Sequence, residues 1–240
     1  MTKESWRTFV RRHSGWWRYC GFDIRHLAGE VCGVSGKPAG AVAPFFLWID
    51  AVGGYWVSPA EQVILGQPDP SRSADVPILG DLASRHARIR REGEGYLIEA
   101  FREVRVDGRP AGPLAVLPDA CTIQLGRSVR LAFRRPHALS HTARLEFLSR
   151  HRTQPSADAV LLVSDTCVLG PGADSHVICR RWPQEVILYR QQDQFYCQAP
   201  GAFSIDGRPC QRRGLLGRNS RIVGDWFSLA LEPIVYGETG

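Results

Sequence analysis

The segment "LASRHARI" (residues 82–89) sets a hydroxyl, a guanidinium and an imidazole side by side, at Ser84, Arg85 and His86. Those three side chains can serve three ends. Serine and histidine together can make a nucleophile and its base. Serine and arginine together can capture an anion such as a phosphate, which needs cationic and hydroxyl donors on a rigid frame. Any of the three can simply hold a loop in shape. Catalysis is the weakest reading. Ser84 and His86 stand two apart in a strand-like loop, and no carboxylate is indicated to orient the histidine. Asp81 lies close in sequence, but a lone loop aspartate more often caps a turn. The chain has no GxSxG, no P-loop glycine pattern and no HExxH. A non-enzymatic protein is expected.

The elements that must carry these residues are strands. "ARIRR", "YLIEA", "VRVDG", "TIQLG" and "VRLAF" are short and alternating, and Gly, Pro and Asp separate them. With 24 Gly and 16 Pro in 240 residues, the composition favours an all-β chain rich in turns. The chain also repeats itself. "VILGQ" (63–67) is echoed by "CVLGP" (167–171), "GYLIEAFREVRVDGRP" (95–110) by "QFYCQAPGAFSIDGRP" (194–209), and "TIQLGRSVRLAFRRP" (122–136) by "SRIVGDWFSLALEP" (220–233). The offsets are 104, 99 and 98 residues, in constant order, as a duplicated domain requires. Each copy has room for about ten short strands, so two tandem antiparallel β-sandwiches are expected. "VDG" and "IDG" mark tight turns, with Gly108 supplying a positive φ in the first. Residues 1–44 differ: they are basic, hold Trp6, Trp16 and Trp17, look helical or irregular, and end in a linker. The expected division is 1–44, a first sandwich over 45–138 and a second over 139–240. The polar junction at 149–159 is expected between the first two strands of the second sandwich.

In order, "ILGQ" (64–67), "DLASRHARI" (81–89), "GYLIEA" (95–100), "VRVDGRP" (104–110) and "CTIQLGRSVRLAF" (121–133) make residues 45–136 resemble a forkhead-associated (FHA) domain. The resemblance implies a sandwich whose loops at one end bind phosphothreonine peptides. It implies a signalling or protein-interaction module, with a partner that carries phosphothreonine, such as a Ser/Thr kinase substrate, and with no cofactor. It places Ser84, Arg85, Arg102 and Gln67 at the phosphopeptide site. His86 would brace the loops, Gly66 would permit a turn, and Gly108 would be the turn glycine. The second copy, about 142–235, keeps the strand pattern but has "RRWPQEVIL" in place of the Ser-Arg-His segment, with Gln184 opposite His86. It resembles a degenerate FHA repeat.

Three positions depart from the family pattern. The arginine common after the first glycine is Gln67. The serine three before the histidine is Ala83, with Ser84 one place later. The asparagine of the "NGT" turn is Arg102, in "REV". Each charge-assisted hydrogen bond contributes about 1.5–3 kcal/mol, so losing two or three can turn a micromolar site millimolar. Arg102 offers its own guanidinium in return. A phosphate-independent scaffold built on two such sandwiches is the competing expectation.

The net charge is +6, unevenly spread: residues 1–44 carry seven Lys/Arg against three Asp/Glu, 45–138 twelve against eleven, and 139–240 eleven against ten. A nucleic-acid binder usually has a basic stripe on its folded body. Nucleic-acid contact is therefore expected, if anywhere, only at the basic, Trp-rich leader. The seven cysteines form no CxxC pair and no zinc-finger pattern, and are expected as reduced, buried thiols. Cys20 and Cys32 with His13 and His26 make the one conceivable metal grouping, at an unspecific spacing. No apolar stretch reaches the ~18 residues of a membrane helix, and no signal peptide opens the chain. A cytoplasmic protein without membrane contact is expected.

Overall fold

The structure is a computed structural model that describes residues 43–234. Nearly all of the basic leader lies outside the described residues, with Cys20, Cys32, His13 and His26. The alternating runs all become strands. Up to residue 134 these are β1 (Phe45–Ile49), β2 (Gly53–Ser58), β3 (Gln62–Gly66), β4 (Val76–Pro77), β5 (Ala87–Glu92), β6 (Gly95–Ala100), β7 (Val104–Val106), β8 (Arg109–Pro110), β9 (Leu114–Leu117), β10 (Ala120–Leu125) and β11 (Val129–Arg134). There follow β12 (Ala143–Phe147), β13 (Ala159–Leu162), β14 (Thr166–Gly170), β15 (Val177–Ile178), β16 (Val186–Gln191), β17 (Gln194–Ile205), β18 (Arg208–Leu215), β19 (Arg221–Gly224) and β20 (Ser228–Pro233). No helix occurs among the described residues, so the fold is all-β.

A five-stranded sheet runs β4-β3-β5-β6-β9. All other strands share one sheet in the order β15-β14-β16-β17-β19-β20-β1-β2-β13-β12-β11-β10-β7-β8, with β18 on β17. Most neighbours are antiparallel; β2/β13, β3/β4 and β14/β15 are parallel. The order contains an exchange. β1, from the first repeat, pairs with β20, the last strand of the second, setting Leu47 against Leu231 and Ile49 against Leu229. β12, from the second repeat, pairs with β11, the last strand of the first, setting Leu145 against Phe133 and Phe147 against Leu131. The two registers are equivalent. Even the flanking bonds match: Asp50 N–H donates to the Ser228 carbonyl (3.1 Å) and Leu148 N–H to the Arg130 carbonyl (2.9 Å). Each repeat lends its leading hairpin to the other.

Where the exchanged hairpins meet, three strands bury both faces. Phe45, Leu47 and Ile49 of β1, Tyr55 and Val57 of β2, and Ala159 and Leu161 of β13 enter a core with Leu188, Phe203 and Leu229. Their alternates Phe46, Trp56, Val160 and Leu162 enter a second core with Leu65, Ile98 and Phe133. This is why "FFLWI" and "AVLLV" are continuous apolar runs rather than alternating ones. Trp56 is wholly buried, and its truncation to alanine is expected to cost about 3–5 kcal/mol.

The polar junction lies, as expected, between β12 and β13, and it also pairs with the first half. Leu79 N–H donates to the Arg152 carbonyl (2.8 Å), Gln154 N–H to the Pro77 carbonyl (2.9 Å), and Ile78 bridges Thr153. The "VDG" and "IDG" turns do form as a pair. Asp107 and Gly108 have φ of 49° and 79°, Asp206 and Gly207 of 54° and 76°, as a two-residue type I′ hairpin demands. Each aspartate carboxylate accepts a backbone N–H from the neighbouring strand, Thr122 in one copy and Arg221 in the other, both at 2.8 Å.

Candidate functional site

Three loops of the first sandwich gather at one end: Gln67–Asp75, Ile78–His86 and Phe101–Glu103. His86 holds them together and is 4% exposed. Its Nε2–H donates to the Glu103 carbonyl (2.9 Å), leaving Nδ1 to accept the Ala83 N–H (3.3 Å). Its backbone N–H donates to the Leu65 carbonyl (2.9 Å), and its carbonyl accepts both the Phe101 and the Arg102 N–H (3.1 Å each). One residue thereby ties three segments of chain: β3, its own loop and residues 101–103.

Gly66 differs from its expected role. It has no left-handed φ. What it supplies is room: a Cβ there would overlap the Ser84 carbonyl oxygen and crowd the Ala83 oxygen. This close approach lets Gln67 N–H reach the Ala83 carbonyl (3.0 Å) and the Gly66 carbonyl accept from Ile78 (2.7 Å). The Gln67 side chain is exposed. Gly108 sits in the β7–β8 turn, where a Cβ would meet nothing within 4 Å, and shapes that hairpin.

The arginines surround one ring. The Arg85 guanidinium lies 5.4 Å and that of Arg88 5.3 Å from the centroid of Phe101. Arg88 is also paired with Glu99 (3.2 Å), whereas Arg85 is exposed and has no ion pair among the described residues. Arg102, also exposed, donates through Nη1 to the Phe101 carbonyl (2.9 Å). Near Ser84 stands a carboxylate that sequence reasoning missed. Asp69 accepts the Ser73 N–H (2.9 Å) and the Ser71 hydroxyl (3.0 Å), and hydrogen bonds, the Ser73 backbone N–H foremost, hold its carboxyl below its ordinary range. The signal in the sequence is "DPSRS", an aspartate followed by hydroxyls at turn spacing. The site thus offers two exposed guanidiniums and a carboxylate.

The second half lacks this arrangement. Strand pairing sets Leu65 opposite Ala87 and Leu169 opposite Val186, so Glu185, not Gln184, occupies the place of His86. The Glu185 side chain fills the space over Gly170 that Ser84 fills over Gly66. His176 stands where Asp75 does. Asp75 accepts the Ile64 N–H (2.8 Å) and His176 Nδ1 the Val168 N–H (2.9 Å). The cysteines at 121, 167, 179, 197 and 210 are free and buried, and burial pushes the Cys167 thiol up to about 12. Among the described residues no helix is long and apolar enough to cross a membrane. Comparison with known proteins returns no matching family model, no similar curated protein and no similar solved structure.

Proposed function

We propose that the loop end of the first sandwich captures a phosphothreonine-bearing peptide, as the resemblance to forkhead-associated domains implies, and that the protein is a cytoplasmic, non-enzymatic interaction module. The observation that supports this most is the pairing of a buried brace with exposed cations: His86 fixes the loops, and Arg85 and Arg102 stand exposed on either side of it in sequence, above Phe101 and on its carbonyl. A phosphate carries close to two charges and three acceptor oxygens, which two guanidiniums suit. The test is binding of a degenerate phosphothreonine peptide library beside its unphosphorylated counterpart. Selective retention of the phosphorylated set, lost in both Arg85→Ala and Arg102→Ala, is expected. Equal retention of both sets would rule the reading out.

Asp69 favours the second reading, a scaffold that joins partners without phosphate. Its carboxylate lies near Ser84 and repels an anion. The two readings differ on one variant. If phosphate is the ligand, Asp69→Asn should tighten phosphopeptide binding several-fold, since it removes a like charge beside the anion. On the scaffold reading that variant leaves binding unchanged.

A further inference from the structure

Charge is near neutral over residues 45–138 and over 139–240 as wholes but not locally. Between Asp119 and Asp158 the chain carries seven arginines and a single acid, Glu146. Arg144 takes Glu146 (2.6 Å) and Arg135 takes Asp119 (2.7 Å). Arg134 stands at the far end of β11. The remaining four, Arg127, Arg130, Arg150 and Arg152, are exposed, and none has an ion pair among the described residues.

Their backbones converge on one built corner. Arg127 and Ser128 form the turn between β10 and β11. Arg150 to Arg152 follow β12, and the Ser149 hydroxyl accepts the Arg130 N–H (3.1 Å). His151 spans the two turns: Nδ1 bonds the Ser149 hydroxyl (2.8 Å) and Nε2 the Ser128 hydroxyl (3.4 Å). Its ring packs on Gly80, where a Cβ would lie 3.0 Å away. Arg152 fixes the corner through its carbonyl, which accepts the Leu79 N–H (2.8 Å). The corner therefore abuts the start of the same loop whose end presents Ser84, Arg85 and His86. Gly126 touches that loop too, beside the Asp81 carbonyl and the His86 ring. From Gly80 to Arg85 the loop can span at most about 18 Å.

We propose that this arginine corner, completed by the exchanged hairpin of the second repeat, is an acid-binding extension of the phosphothreonine site. The ligand is then a peptide with a run of Asp or Glu roughly three to six residues from its phosphothreonine, the reach of an extended chain across that loop. The inference rests on the reading above, and the following experiment separates the two.

Four labelled probes are titrated into the full chain: a phosphothreonine peptide with neutral flanks, the same peptide with three glutamates, the glutamate peptide without phosphate, and a single-stranded oligonucleotide of equal charge. The variant is Arg127→Gln/Arg150→Gln/Arg152→Gln. The expected result is that the acidic phosphopeptide binds about tenfold tighter than the neutral one, as three exposed pairs can supply. The triple variant should erase that advantage and leave the neutral phosphopeptide unchanged, and the advantage should shrink between about 50 and 300 mM salt. Should the triple variant fail to fold, Arg150→Gln alone gives the same ordering in a smaller step. Equal affinity for the two phosphopeptides overturns the acid-binding corner while the phosphate site stands. Binding of the unphosphorylated glutamate peptide, lost in the triple variant but indifferent to phosphate and to Arg85→Ala, supports the corner and removes the phosphothreonine reading. Preference for the oligonucleotide over every peptide overturns the assignment to an acidic peptide.

Discussion

Replacing His86 with alanine removes the donor to the Glu103 carbonyl and the acceptor for the Ala83 N–H together. Two buried backbone groups lose partners, so a loss of about 2–4 kcal/mol is expected in chemical denaturation. Arg85→Ala, on the exposed face, should unfold within error of the wild type and differ only in binding. Equal destabilisation by the two would refute this division of roles. His176 offers a pH test. Burial, with His137 stacked 5.8 Å away, pushes its imidazole down to about 4. The unfolded chain takes up that proton near pH 6.5, the folded one only near 4. Stability from this residue is complete above about pH 6.5 and falls as the pH drops towards 4, by up to about 3 kcal/mol. His176→Asn, which keeps an acceptor for Val168, should flatten that part of the profile when denaturation midpoints at pH 7 and 5 are compared. At this scale the Ser-Arg-His trio was legible because side-chain type and spacing alone suggest it. Asp69 was not, since it meets Ser84 only after its loop folds back across fifteen residues of sequence. The arginine corner was hidden by averaging charge over long segments.

Alternation made the strands readable, and the turn chemistry of "VDG" and "IDG" made their joints readable. The two turns invite a comparison. Asp107→Ala deletes one hydrogen bond, from the Thr122 N–H, whereas Asp206→Ala deletes two, from the Arg221 N–H and the Ser220 hydroxyl, and both replace a residue that tolerates positive φ by one that does not. Asp107→Ala should cost about 1–2 kcal/mol and Asp206→Ala about one hydrogen bond more. Asp→Asn at either place should cost less, because asparagine tolerates that backbone region. Thermal melts of the four variants decide it, and equal losses for the two alanine variants would mean that the Ser220 bond to Asp206 adds nothing to stability. The exchange between β1 and β12 could not be read. Each hairpin fits either closing strand in the same register, so local pattern does not choose the partner. The clue lay in strands too uniformly apolar for a half-exposed sheet.

For the whole molecule, the exchange makes the halves interdependent. The core that holds Leu65, Ile98 and Phe133 takes Phe46 and Trp56 from β1 and β2 and Val160 and Leu162 from β13. The core that holds Leu188, Phe203 and Leu229 takes the opposite faces of the same strands. Unfolding should therefore show one transition, with calorimetric and van't Hoff enthalpies agreeing. Two resolved transitions, one for each core, would contradict that. Expressing residues 45–138 and 139–240 separately should likewise yield fragments less stable than the intact chain, because each core loses the side chains of two strands that the other half supplies.

The exchange also sets an order in time. β1 leaves the ribosome long before β20, its partner, exists; at 5–20 residues per second the gap is roughly ten to forty seconds. During that interval β11 is already made, and the register that β12 takes on it is the one that β1 takes on β20. A first half that closed on itself in that register would have to reopen once β12 and β13 emerge, so the quickest route to a compact fold and the route to the final one would diverge midway through synthesis.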